Sequence, residues 1–350
     1  MTLRVGITAL PYGDGAVETI VEAERLGADS VWVPEFWGYD ALTPLAYLAA
    51  GTERVRLATG IAQLGARTPA MLAMSAMSLQ ALSGGRFVLG LGTSGPQVME
   101  GWHGVAFRKP LQRTRETIAI VRAVARGDRL AHDGDVYRLP LPGGEGKPIR
   151  SAAPPVEIPI YVAALGPANL ALTGELADGW IGNSFLPESA SVFLDPIRAG
   201  AAAAGRSFDD LDITVSVAVE FTDDVDAAAR RHADGYAFTF GAMGSRRHNF
   251  YNDAFARQGF GDAVAEVQRL WQEGDRAGAA ARVPSEIGLK TNLLGTPALV
   301  TERLRLYRDA GVTTLRAGLS GDRTAQLDAL GLLLDLVTEV NAEPSTRSRP

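Results

Sequence analysis

Residues 86–97 read Arg-Phe-Val-Leu-Gly-Leu-Gly-Thr-Ser-Gly-Pro-Gln, an apolar run that ends in a glycine-rich turn. Within it, Gly90-Leu-Gly92-Thr-Ser-Gly95 satisfies the GxGxxG spacing of a dinucleotide-binding turn. That fingerprint needs the glycines to open a helix, and a second strand to end in an acid about 20 residues on. Here Pro96 follows the last glycine, and the next acids are Glu100 in a loop and Glu116 within an amphipathic segment. The stretch therefore reads as a strand capped by a polar loop at its carboxyl end. Its apolarity does not alternate, which is the mark of a parallel strand buried on both faces.

Seven further runs share that texture: 3–9, 29–34, 54–61, 159–164, 179–183, 211–219 and 313–317. Most are followed by a helical stretch, so strand and helix alternate along the whole chain. Eight such units predict, within the α/β class, an (α/β)8 TIM barrel in preference to an open doubly wound sheet. The helix starts agree. Thr43-Pro44, Thr68-Pro69 and Thr296-Pro297 each offer a capping hydroxyl and a first-turn proline, whose missing N–H costs nothing there. Gly166-Pro167 and Leu186-Pro187 open two more helices in the same way, and a helix over 15–26 ends at Gly27.

Two stretches break this rhythm. Residues 127–158 predict a hairpin around Val136–Leu139 within an irregular excursion, and residues 236–292 predict a helix at 261–274 among glycines and aromatic residues. Both belong near a barrel rim, where lids and dimer contacts are built. The expected organisation is one barrel domain over 1–341 carrying these insertions, followed by a polar, flexible tail at 342–350.

Composition narrows the chemistry. Of 350 residues 46% are hydrophobic and 21% charged, so disordered and collagen-like readings drop out. The absence of Cys removes disulfides, thiolate metal sites and a cysteine nucleophile. The four His, at 103, 132, 232 and 248, leave no i, i+4 pair for a helical zinc motif, and no metal is expected. A net charge of −6 lacks the basic field that nucleic-acid binding needs. No apolar stretch of about 18 residues is present to cross a membrane. The first residues lack the basic-then-apolar order of a secretory leader. The expectation is a cytoplasmic protein acting on a small molecule.

Chemistry in a barrel sits where the strands end. The predicted ends carry Glu35-Phe36-Trp37-Gly38-Tyr39-Asp40, Gly60-Ile61-Ala62-Gln63, and Thr93-Ser94-Gly95-Pro96-Gln97 running on to Glu100-Gly101-Trp102-His103. The later strands end in Ala163-Ala164-Leu165-Gly166, Asn183-Ser184, Glu220 and Arg316. A retaining glycosidase needs two carboxylates about 5 Å apart, but Glu35 and Glu220 fall on strands distant around the ring. A Schiff-base enzyme needs an inward lysine, and Lys109, Lys147 and Lys290 all lie outside the predicted strands. What remains is an aromatic, mixed-polar mouth suited to a planar cofactor. Glu35 is either a pocket carboxylate or a solvated rim group, and His103 either a proton donor or a surface side chain. Gly166-Pro167 either presents free amides to an anion or makes a plain turn. Phe36, Trp37 and Tyr39, on a loop, line a pocket more readily than a core.

Taken together, Glu35-Phe-Trp-Gly-Tyr-Asp40, Ala58-Thr-Gly-Ile61, Leu82-Ser-Gly-Gly-Arg-Phe87, Gly92-Thr-Ser-Gly-Pro-Gln-Val98, Glu100-Gly-Trp-His-Gly104 and Ala163-Ala-Leu-Gly-Pro167 resemble the luciferase-like monooxygenase superfamily. Within it the chain is similar to the coenzyme F420-dependent oxidoreductases related to methylenetetrahydromethanopterin reductase. The resemblance implies a bacterial-luciferase-like barrel, a homodimer, and F420 held at the carboxyl ends of the strands for hydride transfer at C5. It implies a non-prolyl cis peptide at Gly60–Ile61 backing the deazaflavin ring. It places phosphate contacts at Thr93, Ser94 and Gly95, with Gln97 in the same loop, and at Ala164, Leu165 and Gly166. Phe36, Trp37 and Trp102 would line the substrate space. One departure stands out: relatives carry Asp-His after strand 2, whereas this chain has Glu35-Phe36. The catalytic acid would then be Glu35, Glu100 or His103. The apolar mouth favours a neutral or planar substrate. An FMN-dependent monooxygenase and a non-catalytic flavin-binding protein are the alternatives on the same fold.

Overall fold

A computed structural model describes residues 2–243 and 249–344. The eight apolar runs form β1 (Arg4–Thr8), β2 (Ser30–Val33), β3 (Arg56–Thr59), β4 (Phe87–Gly92), β5 (Ile160–Ala163), β6 (Gly179–Gly182), β7 (Asp212–Phe221) and β8 (Thr314–Gly318). Each pairs in parallel with the next. β8 then closes on β1, with Arg4 opposite Thr314 and Ile7 opposite Ala317. The result is an (α/β)8 barrel. Trp32, Ala58, Val88, Tyr161 and Ile181 fill its interior, and a larger apolar layer joins strands to the surrounding helices.

The local differences from expectation have physical causes. β3 stops at Thr59; a cis peptide joins Gly60 to Ile61, and Ala62–Gln63 then pairs with β4. Thr68 and Thr296 cap their helices through Met71 N and Leu299 N, but Thr43 does not cap its own. That helix starts at Leu42, and the Asp40 carboxylate takes the amides of Leu42 and Thr43 at 2.9 and 2.8 Å. A carboxylate at a helix start also gains from the helix dipole. Leu186-Pro187 opens a short 3-10 turn, Pro187–Ser189, before the helix Ser191–Ala203. Glu100 lies in the six-residue helix Pro96–Gly101 instead of a loop.

In the first insertion His132–Asp133 pairs antiparallel with Arg138–Leu139. Buried Glu116 anchors the turn by accepting the amides of Asp135, Val136 and Tyr137. The second insertion is more helical than its glycines suggested: Ala233–Ala242, Phe250–Phe255, Gly261–Gln272, Arg276–Arg282 and Ser285–Thr291 are all helices. They share a separate core in which Phe240 and Phe255 meet edge-to-face at 4.9 Å. Burial of these side chains holds short helices that propensity alone would not. Residues 244–248, with His248, and 345–350 of the expected tail lie outside the described residues. Among the described helices none is long and apolar enough to cross a membrane.

At the amino-terminal end of the barrel the charges are gathered around Asp212. Its carboxylate pairs with Arg4 at 2.8 Å and Arg56 at 3.1 Å, and accepts Tyr161 Oη at 2.8 Å and Thr314 Oγ1 at 3.1 Å. Burial pushes its pKa up, but the two guanidinium groups and the Thr313 and Tyr161 hydroxyls outweigh that and hold it below the usual range. A native pKa held low contributes stability that is present above about pH 4 and lost as pH falls through the native value. Asp212→Asn should therefore cost about 3 kcal/mol at pH 7, as breaking a buried pair does. Urea denaturation should show the gap to the parent narrowing below pH 4. An equal gap at both pH values would contradict the ion-pair account.

Candidate active site

A cavity of about 570 Å3 opens at the carboxyl ends of the strands, within the range of small-molecule sites. Gly60, Ile61, Thr93, Ser94, Gly95, Gln97, Ala164, Leu165 and Gly166 all line it, as do Glu35, Phe36 and Trp37. Glu100, Trp102 and His103 stand outside the lining. Trp102 is 63% exposed, and Glu100 accepts the Phe107 amide at 3.0 Å, organising its own loop.

The glycines of the opening motif serve packing. Thr59 Oγ1 donates to the Gly90 carbonyl at 2.7 Å and accepts the Gly90 amide at 2.8 Å, which draws β3 tightly against β4. A Cβ on Gly90 would fall 2.0 Å from the Thr59 carbonyl oxygen, and one on Gly92 would fall 2.8 Å from Ile61 Cδ1. The close approach sets the bulge at Gly60–Ile61 against the cavity wall. Beyond it the chain turns through Ser94, with φ 56°, into the helix starting at Pro96. Across the rim Gly166 precedes the helix Pro167–Leu176; Pro167 has no N–H and Asn169 N donates to the Gly166 carbonyl at 3.0 Å, which leaves the Ala168 amide without an intrahelical acceptor. Asn169 in that first turn lines the cavity with a buried Oδ1 that has no hydrogen-bond partner.

Glu35 is bound on every side. Arg67 donates to both its oxygens, at 3.0 and 2.8 Å, and the amides of Gln63 and Ala41 donate at 3.1 and 3.2 Å. The Gln63 side-chain amide donates in turn to the carbonyls of Glu35 and Phe36, both at 3.0 Å. That leaves Gln63 Oε1 as an acceptor, so His103 Nε2, 2.8 Å away, carries the proton and donates. The three form one chain of carboxylate, amide and imidazole, in which Glu35 and Gln63 line the cavity and His103 lies behind them.

Several lining residues were not among the site candidates. Arg316 and Asn183 reach the cavity from β8 and the end of β6, and Phe238, Met243, Phe250 and Tyr251 reach it from the second insertion. Alternation along 314–318 carries a signal for Arg316, since Thr314 faces Asp212 inside the barrel and Arg316 shares its face. For the insertion residues the sequence holds no such period. Burial pushes the Tyr251 phenol above its usual pKa, so it stays protonated through neutral pH. Among the described residues no group of three or more His, Asp or Glu stands together to hold a metal.

The family model for luciferase-like monooxygenases matches residues 4–314. The chain belongs to the luciferase-like monooxygenase family. Among its relatives in this family is a Mycobacterium tuberculosis protein, provisionally assigned as a coenzyme F420-dependent oxidoreductase. The two are 41% identical over 89% of this chain and 93% of the relative. The 5,10-methylenetetrahydromethanopterin reductase of Methanolobus tindarius is 32% identical over 85% of this chain and 87% of its own length. The solved coenzyme F420-dependent tetrahydromethanopterin reductase of Methanopyrus kandleri shares the fold with a TM-score of 0.78 at 23% identity, covering 97% and 99% of the two chains. Other structures of the same fold hold F420 or FMN.

Proposed function

We propose that this protein is a coenzyme F420-dependent oxidoreductase that transfers a hydride between the deazaflavin and a small organic substrate. The observation that carries the reading is one cavity lined by the three features that the resemblance assigns to the cofactor: the Ser94–Gly95 turn, the Gly166 helix start, and the wall at Gly60–Ile61. The orphaned Asn169 Oδ1 fits a ligand with a donor group at that helix start. Its F420-named relatives add support. Bound there, the deazaflavin supplies a hydride-carrying carbon at C5.

The chain's own part is orientation and a proton. The amides near Gly95 and Gly166 would hold phosphate, Gly60 and Ile61 would back the ring, and Phe36 and Trp37 form the mouth. Glu35 is a positioning residue in this reading, because all its oxygens already accept hydrogen bonds; through Gln63 it fixes His103. Glu100 likewise positions its loop. Tyr251, protonated and facing the cavity, donates the proton to the substrate oxygen. For the homodimer we propose the face carrying exposed Tyr47, Met71, Met74 and Leu82, which a monomer would leave wet.

Three measurements check these statements. Titration of the apoprotein, followed by tryptophan fluorescence, should show micromolar or tighter binding of F420 and much weaker binding of FMN; the reverse order points to a flavin monooxygenase. Oxidation of reduced F420 by a panel of ketones and enones should fall about 100-fold in kcat for Tyr251→Phe with little change in KM. F420 binding without turnover of any acceptor would favour a carrier protein. Light scattering should give a dimer for the parent and a monomer for Met71→Glu/Met74→Glu, and a parent monomer would refute the interface.

A further inference from the structure

A full positive charge is costly to bury without a counter-charge, yet the cavity floor holds one. Arg316 is 3% exposed. Its Nη2 donates to the Gly182 carbonyl at 3.1 Å and to Asn183 Oδ1 at 3.0 Å, and its guanidinium lies 5.3 Å from the centroid of the Trp32 ring. Its Nε is buried with no hydrogen-bond partner. The contrast with Arg308, equally buried but 2.9 Å from Asp309, and with Arg56, paired to Asp29 and Asp212, is plain. Burial alone acts on Arg316, lowering its pKa to about 10 with no carboxylate opposing it, so it remains a cation at neutral pH.

The free side of the group faces the site. Arg316 lines the cavity together with Gly60, Ile61, Ile181 and Asn183, and a Cβ added to Gly60 would stand 3.4 Å from Nη1. A planar guanidinium with donors to spare matches a delocalised oxygen anion better than any neutral group. We propose that Arg316 is the anion-binding residue of this cavity, taking a delocalised oxyanion at the floor between Gly60 and Asn183. This departs from the neutral substrate that the apolar mouth suggested. The oxyanion has two possible sources. One is a carboxylate or enolate on the substrate. The other is the electron-rich edge of the reduced deazaflavin, and that arm rests on the F420 reading above.

Equilibrium titrations of the full chain separate the sources. Benzoate and its neutral isostere benzamide probe the first, and reduced against oxidised F420 probes the second. The parent should favour benzoate over benzamide at least tenfold if the anion comes from substrate, or reduced over oxidised F420 by a similar factor if it comes from the cofactor. Arg316→Met should bring the operative ratio to within about twofold of unity. If Arg316→Met fails to fold, as judged by circular dichroism, Arg316→Lys replaces it; its shorter, single-pronged cation should reduce the ratio several-fold. No preference for either anion in the parent overturns the proposal, as does a preference that survives in the folded variant. If F420 binds in neither state, the cofactor reading fails by itself, and the benzoate ratio still decides the role of Arg316.

Discussion

The Asp212 carboxylate is the tie on which barrel closure rests. β7 supplies the acid, and β1, β3 and β5 send Arg4, Arg56 and Tyr161 to it, so one side chain from each odd strand meets in a single layer. Alternate-strand layers of this kind are how small parallel barrels fill their interiors. Thr313 and Thr314 bring the last strand into the same knot, so the seam between β7, β8 and β1 is pinned by hydrogen bonds as well as by the ladder. Buried charges are tolerable here because each finds an opposite charge and its remaining lone pairs find donors.

That end, where each guanidinium meets a carboxylate, makes the other end intelligible. Rising along β8 from Thr314, the next inward residue is Arg316, which meets Trp32 from β2 and has only a carbonyl and an amide oxygen for company. The two ends of one barrel thus treat arginine in opposite ways: Arg56 is fully matched, and Arg316 keeps donors in reserve beside a cavity. A rigid lower layer lets the upper rim hold such an imbalance without collapsing around it. The Glu35–Arg67 pair does similar service at the mouth, spending its oxygens on holding the loop after β2 and, through Gln63, the imidazole of His103.

Much of the fold was legible in the chain. Eight non-alternating apolar runs became eight strands, because a strand buried on both faces must be apolar throughout and few other elements look like that. The strand-end loops around Ser94, Gly166 and Gly60 were legible too, since glycine and proline mark turns and helix starts chemically. Thr43 misled because the helix starts one residue before it, at Leu42, where Asp40 accepts the amides of Leu42 and Thr43 and leaves Thr43 inside the first turn. In the second insertion the helix expected at 261–274 is present as Gly261–Gln272, but the other helices carry no local signal, because Phe240 and Phe255 stabilise them through contacts remote in sequence, which no local period records. The resemblance places Trp102 in the substrate space, but its position after the helix Pro96–Gly101 carries it out to solvent.

Hydrophobic patterning and turn chemistry are local properties, and they determined the class of fold, the order of its strands and the rim on which a ligand would sit. Which side chains face one another across that rim is a matter of register and closure, decided only when the last strand pairs with the first. Closure sets Arg316 beside Gly60, turns Tyr251 of the insertion toward the same cavity, and commits Glu35 to Arg67. The sequence by itself names a rim with acids, amides and aromatics; the tertiary structure decides which charges are satisfied, because neutralisation depends on distances between residues far apart in the chain.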